Sequence, residues 1–321
     1  PPAAVALGLY GDWLRVGVGA VGELAHGGLT RGRDAVHQAA AALGTTVDAL
    51  DPARHVAIAL HDGTSPGAEA FYIGSAATAP KLRFLGGGAS IDPELDPAIA
   101  LGGDPSDHPA AVWAHGEARG DAGVVAVLEC DQPFHVVSSC HLVASELKTV
   151  VTAVSGPATG RGAGRVIDEL DGRPAASRLR QLVAQLGDEL DLPRPIHALA
   201  RFLDGVPYVR SIVGVVGERV ILASAVEPGH VLRVMRPGAL GRTTARDLAT
   251  ATERVGGAMA AFVAFACQVR QREAHLRHTE RELAAMYATC PMVGFHTVSE
   301  QSGMLLVNHT LTGLAIGAIK S

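Results

Sequence analysis

Apolar and polar positions along the chain switch repeatedly between a period of two and a period near 3.6, the signatures of half-buried strands and amphipathic helices. WLRVGVGAV alternates and predicts a strand. TRGRDAVHQAAAAL, from Thr30 to Leu43, predicts a helix that stops at Gly44. HVAIALHDG predicts the next strand, GAEAFYIGSAATA a helix, and KLRFLGGGAS a further strand. The stretch from Ile91 to His108 is rich in Pro, Asp and Gly and predicts a loop. AVWAHGEARGDAGVVAVLEC predicts a hairpin and FHVVSSCHLV another strand. After Arg165 the mixture resumes. RVIDELDGRP predicts a strand and turn, PAASRLRQLVAQLG a helix, and the run from Val206 to Met235 several strands with turns at VVGE and EPGH. TTARDLATATERVGGAMA predicts a helix, AFVAFACQVRQ an apolar strand ending at Cys267 and Arg270, and HTERELAAMYATC a helix. MVGFHTV and MLLV, separated by SEQSG, predict a closing hairpin with Glu300 near its tip.

This mixture predicts an α+β protein with two mixed α/β domains, each a mainly antiparallel or mixed sheet packed with helices. A chain of 321 residues exceeds what one core usually holds. The Gly-rich stretch SGPATGRGAGR, from Ser155 to Arg165, is the natural break, giving domains 1–165 and 166–321.

Composition narrows the function. The chain is 48% hydrophobic and 18% charged, enough to build sizeable cores. A net charge of -5 without a basic block argues against a nucleic-acid partner. No apolar run reaches the length of a membrane span, and four scattered cysteines make no disulfide framework, so a reducing cytoplasm is the expected compartment.

Candidate chemistry is dispersed. Gly17, Gly19 and Gly22 match a dinucleotide fingerprint, but Gly27 and Gly28 interrupt the helix it needs, and no acidic residue follows at the ribose spacing. Gly86–Gly88 lacks the Lys of a phosphate loop. His135 and His141 share a face if their strand is regular, and His275 and His278 lie one turn apart if helical. Arg210 and Arg270 suit a carboxylate or phosphate, or a structural ion pair. Cys267 is a small core residue or a thiolate; Glu300 an amine ligand, an acid or base, or a turn residue; His309 a packed imidazole or a ligand to haem or metal.

Several segments together resemble one family. Phe265-Ala-Cys267-Gln-Val-Arg270, then PMVGFHTVSE from Pro291 to Glu300, then NHTLTGLAIG from Asn308, are similar to the FIST (F-box and intracellular signal transduction) proteins. DGRPA at Asp171, YVRSIVG at Tyr208 and, more loosely, VGVGAV, DPARHVAIAL and FLGGGAS extend the resemblance over nearly the whole chain. Val269, His296 and Ser299 depart from the family's usual Gly, Tyr and Gly. The resemblance implies a cytoplasmic sensory protein that binds an amino acid or related metabolite and signals through a separate output protein. It places the ligand among Arg210, Cys267, Arg270, Gly294, Phe295, His296 and Glu300. The alternatives are a haem- or metal-binding sensor using His309, which relatives of the nitric-oxide type suggest, and a cysteine-dependent enzyme.

Overall fold

The computed structural model describes residues 7–89, 110–155, 165–191, 195–303 and 305–318; the expected loop from Ile91 to His108 and most of the Gly-rich break lie outside them. The first half runs β1 (Leu14–Val21), α1 (Gly28–Ala42), β2 (His55–Asp62), α2 (Ala68–Thr78), β3 (Phe84–Ala89), the hairpin β4 (Val112–Ala114) and β5 (Glu117–Arg119), β6 (Gly123–Cys130), β7 (Phe134–Cys140) and β8 (Val143–Ser155). The second half runs β9 (Val166–Leu170), β10 (Arg173–Pro174), α3 (Ala175–Gln185), β11 (Ala198–Leu203), β12 (Val206–Val216), β13 (Arg219–Leu222), β14 (Val231–Arg236) and α4 (Leu240–Arg254). It closes with β15 (Met259–Cys267), α5 (Gln268–Leu276), α6 (Glu280–Tyr287), β16 (Met292–Thr297), β17 (Glu300–Ser302), β18 (Leu305–Val307) and β19 (Thr310–Gly317). The protein is α+β, with mixed sheets and a closed barrel.

Three large sheets organise the chain. The first has the order β1-β6-β2-β3-β17-β18, and its β2–β3 pair is parallel. The second, β16-β15-β19-β7, has a parallel β15–β16 pair, because α5 and α6 form the crossover between those strands. The third, β10-β9-β13-β12-β11-β14-β8, closes through β8–β9 into a barrel. Each of the three takes strands from both sides of position 165.

Alternation along the strands dictates the layering. One face of the first sheet, with Ala57, Ala59, Val125 and Val127, packs on α1 and α2. Its other face, with Val56, Leu85 and Leu128, meets Phe265, Leu314 and Ile316 of the second sheet. Phe262, Ala264, Ala266 and Leu311 on the far face of that sheet pack under α4. The result is a helix–sheet–sheet–helix sandwich. The barrel has its own core, onto which α3 lays Ala175, Ala176, Leu179, Leu182 and Val183, the helical spacing of one apolar face.

The sandwich explains the fingerprint-like glycines. β1 lies so close to α1 that a Cβ on Gly17 would stand 2.0 Å from the Ala39 carbonyl, and one on Gly19 2.0 Å from the Ala35 carbonyl. They are packing glycines.

Three local expectations are corrected. The apolar strand ends at Cys267, and Arg270 belongs to the first turn of α5. The closing segment is no simple hairpin: β16 joins the second sheet, β17 and β18 complete the first, and β19 returns to the second. Glu300 accordingly lies in the interior, with no exposed surface, rather than at a solvent-facing tip. No helix among the described residues is long and apolar enough to cross a membrane.

Candidate functional site

The carboxyl-terminal ends of the parallel strands β15 and β16 point at the barrel. In open parallel sheets this edge is where ligands gather. Cys267 ends β15 and is the N-cap of α5. Strand register puts Thr297 beside it on β16, and since Ala266 pairs with Leu311, Thr310 flanks it on β19. Thr310 in turn pairs with Cys140 on β7. Paired residues share a face, so Cys140, Thr310, Cys267 and Thr297 form a row across the second sheet.

Glu300 spans this row. Thr297 Oγ1 donates to its Oε1 at 2.5 Å, and Thr310 Oγ1 to its Oε2 at 2.7 Å. With one threonine on each side of Cys267, the carboxyl bridges over the thiol. Burial raises the Glu300 midpoint to about 8, against the pull of the two threonines and of Arg270, so the carboxyl is protonated at neutral pH. Burial, and then Glu300 itself, push the Cys267 thiol well above its ordinary value. A buried neutral thiol is a poor nucleophile.

Beside the row lies a second cluster on α5. Arg270 is 2% exposed. Its Nη2 donates to Thr244 Oγ1 at 2.6 Å, and its Nη1 to His141 Nδ1 at 3.3 Å. That contact makes Nδ1 the acceptor, so His141 Nε2 carries the proton and donates to Glu273 Oε2 at 2.6 Å. Arg277 donates to the other oxygen of Glu273 at 2.7 Å. Burial opposes ionisation of Glu273, but His141 and Arg277 outweigh it and hold the carboxylate below its usual range. Burial keeps His141 neutral, against the pull of Glu273.

The barrel is fastened to this cluster by two residues between β18 and β19. Asn308 Oδ1 accepts from the Ser211 amide and the Ser224 hydroxyl, while its Nδ2 donates to the Val298 carbonyl. His309 has a left-handed φ of 59°, uncommon for a non-glycine residue, and this bend carries the chain from the first sheet to the second. Its Nδ1 lies 2.9 Å from Ser211 Oγ, and its Nε2 faces Glu273 Oε2 at 3.8 Å. His309 Nε2, Arg270 Nε and Ser139 Oγ are buried without a hydrogen-bond partner among the described residues.

The structure brings together Cys267, Arg270, Glu300 and His309. It does not add the others to them. Arg210 donates to the Leu306 carbonyl at 2.7 Å and to Glu69 at 3.2 Å, linking the barrel to β18 and α2. Gly294 packs on the Ala264 backbone. Phe295 and His296 are exposed on β16, the edge strand, where the Phe295 ring meets Phe265 edge-on. His135 pairs with Ala315 in the sheet, whereas His141 lies past the strand end on Glu273, so the two histidines are not partners. His275 meets Glu280, and His278 lies between α5 and α6 at φ 55°. Sequence reasoning passed over Glu273, Thr244, Ser211, Thr297 and Thr310. The helical spacing of Arg270, Glu273 and Arg277 was the one signal that could have found the first.

The surroundings of His309 do not fit a haem. A macrocycle needs a wide apolar slot, whereas this ring has no exposed surface and sits among His141, Glu273 and Ser211. No group of three or more His, Cys, Asp or Glu among the described residues is arranged to hold a metal ion.

The FIST N domain model matches residues 2–173 and the FIST C domain model residues 175–303. Among curated proteins no sequence matches the chain. FIST domains are associated with sensing in signal transduction. With a domain model over each half, Cys267, Arg270 and Glu300 all inside the second match, this chain belongs to the FIST family.

Proposed function

We propose that this protein is a small-ligand-binding sensor whose responsive element is the buried polar joint between sandwich and barrel. The observation that supports this is the concentration at one place of a raised carboxyl, a paired histidine and carboxylate, a buried guanidinium and three unpartnered polar atoms. Buried polar atoms without partners are costly, and ionisable groups with displaced midpoints gather at functional sites. A ligand offering an acceptor to Arg270 Nε and a polar partner to His309 Nε2 would satisfy both. The joint is closed, so binding requires the barrel to shift about the Asn308–His309 link. That shift is a change another protein could read, and we take the output to be a separate partner in the cytoplasm.

The ligand class the family suggests is an amino acid or related metabolite. A thermal-shift panel of such compounds tests the reading. A ligand at a hundred times its Kd adds about 2.7 kcal/mol to the folded state, a rise of several degrees. An Arg270→Met variant should lose that rise while still unfolding cooperatively. A panel at saturating concentrations in which no compound moves the transition would overturn the sensor.

A further inference from the structure

Away from the closed joint, the outer end of β17 opens onto a groove of about 280 Å³ between the two sandwich sheets. Leu82, Phe84, Val136 and Val137 give it apolar walls, and Arg83, Ser138, Gln301 and Ser302 give it polar ones. No acidic side chain among the described residues lines it. Arg83 and, from the end of α4, Arg254 both lie within electrostatic reach of His135, the residue before Val136. Partial burial and those two charges keep His135 neutral. Ser302 Oγ donates to Ser138 Oγ at 3.1 Å, joining β17 to β7 across the groove. Gln301 Nε2 donates to the Gly303 carbonyl, which orients the amide and leaves the buried Oε1 as an acceptor without a donor among the described residues.

We propose that this groove binds a small organic carboxylate through Arg83, with Ser138 and Ser302 as hydroxyl partners and its apolar body against Phe84 and Val136. A guanidinium pairs with a carboxylate through two parallel hydrogen bonds. With no acid among the described lining residues an ammonium group would find no countercharge here, only the neutral acceptor Gln301 Oε1, so a carboxylate paired with Arg83 is favoured over an amino acid. The volume suits a compound of roughly ten heavy atoms, at the small end of ligand sites. The assignment rests on the sensor reading, because Gln301 follows Glu300 on the same three-residue strand. An anion drawing on Ser302 would move β17 and with it the carboxyl over Cys267.

The test is 19F NMR titration of the full chain with 4-fluorobenzoate and, as its neutral isostere, 4-fluorobenzamide. Saturable binding of the benzoate is expected, with at least tenfold weaker binding of the amide, and at least a tenfold loss in Arg83→Gln. Arg83 is exposed, so that variant folds; Ser138→Ala should show a smaller loss. Equal binding of acid and amide, an Arg83→Gln variant that binds like the parent, or no saturable binding up to about 10 mM would each overturn the groove. A metabolite that raises the transition of the parent and of Arg83→Gln equally, beside no saturable benzoate binding, removes the groove and leaves the sensor standing. Benzoate binding that depends on Arg83, beside a metabolite panel without any shift, keeps the groove and removes the sensor.

Discussion

Glu300→Gln isolates the most displaced carboxyl of the joint. The native carboxyl takes up its proton near pH 8 when folded and near 4.5 when unfolded. Between those values the folded state holds a proton that the unfolded chain has released. Stability therefore falls as pH rises, by about 1.4 kcal/mol per pH unit. The full contribution is present below pH 4.5, and the loss is complete above about 8. Across the whole window it amounts to roughly 4–5 kcal/mol. Glutamine has the shape of the protonated acid, one acceptor oxygen and one donor; its oxygen can accept from Thr310 and its amide donate to Thr297, whose hydroxyl turns to accept.

The variant should thus match the parent within about 1 kcal/mol near pH 5 and exceed it by several kcal/mol at pH 9. Urea unfolding at half-unit steps from pH 5 to 9 measures this, with the difference between the two proteins as the readout. Taking the difference removes the shared titration of distant groups. Parallel curves for parent and variant would refute the argument, since they would mean that Glu300 ionises in place. A variant destabilised at every pH would mean that the threonine clamp needs a carboxyl geometry that an amide cannot copy.

Two further substitutions probe the sandwich. A Cβ at Gly32 of α1 would stand 2.1 Å from the Phe71 carbonyl of α2, so Gly32→Ala should force the helices apart and cost about 2–3 kcal/mol in chemical denaturation; a loss below half a kcal/mol would show that they slide freely. His61 is wholly buried, its ring nitrogens without a hydrogen-bond partner among the described residues, edge-on to Tyr72, and burial lowers its midpoint to about 4. The unfolded chain binds its proton first, so stability is lost as pH falls from 6.5 to 4; His61→Phe should raise stability by about 1 kcal/mol at pH 7 and flatten that acid limb, and a steeper limb would contradict the assignment.

Element type was readable wherever one residue period ran long enough. α1, α2, α3 and α4 each carry an apolar stripe, and β2, β12 and β15 are apolar runs between turn signals. What could not be read is which sheet a strand joins. β17, β18 and β19 follow one another within about twenty residues, yet the first two add to one sheet and the third to another. The deciding residue is His309, whose left-handed φ looks like nothing in the sequence, where glycine would be the usual marker. The site was half legible for the same reason. Cys267, Arg270 and Glu300 stood out by residue type. Their partners Thr297, Thr310, Thr244 and His141 arrive from three other elements and the β7–β8 turn, through pairing and packing that no local pattern encodes.

The polar joint also fixes what stability alone would not require. Strand ends and a helix start meet there, so their amides and carbonyls need partners, and Asn308 meets that need with a neutral side chain. A joint built only for cohesion could be made wholly of such amides and hydroxyls. Instead it holds Arg270, Glu273, His141, His309 and Glu300, whose burial opposes charge at every position. Well-packed apolar replacements for buried ion pairs are often neutral or stabilising, so cohesion is a weak reason for keeping them. These groups do something a hydrophobic joint cannot: a proton or a charged ligand changes the free energy of the contact between sandwich and barrel by kcal/mol rather than tenths. A sensor of the kind proposed would need such a contact, with one arrangement favoured while the carboxyl over Cys267 is neutral and another once charge arrives.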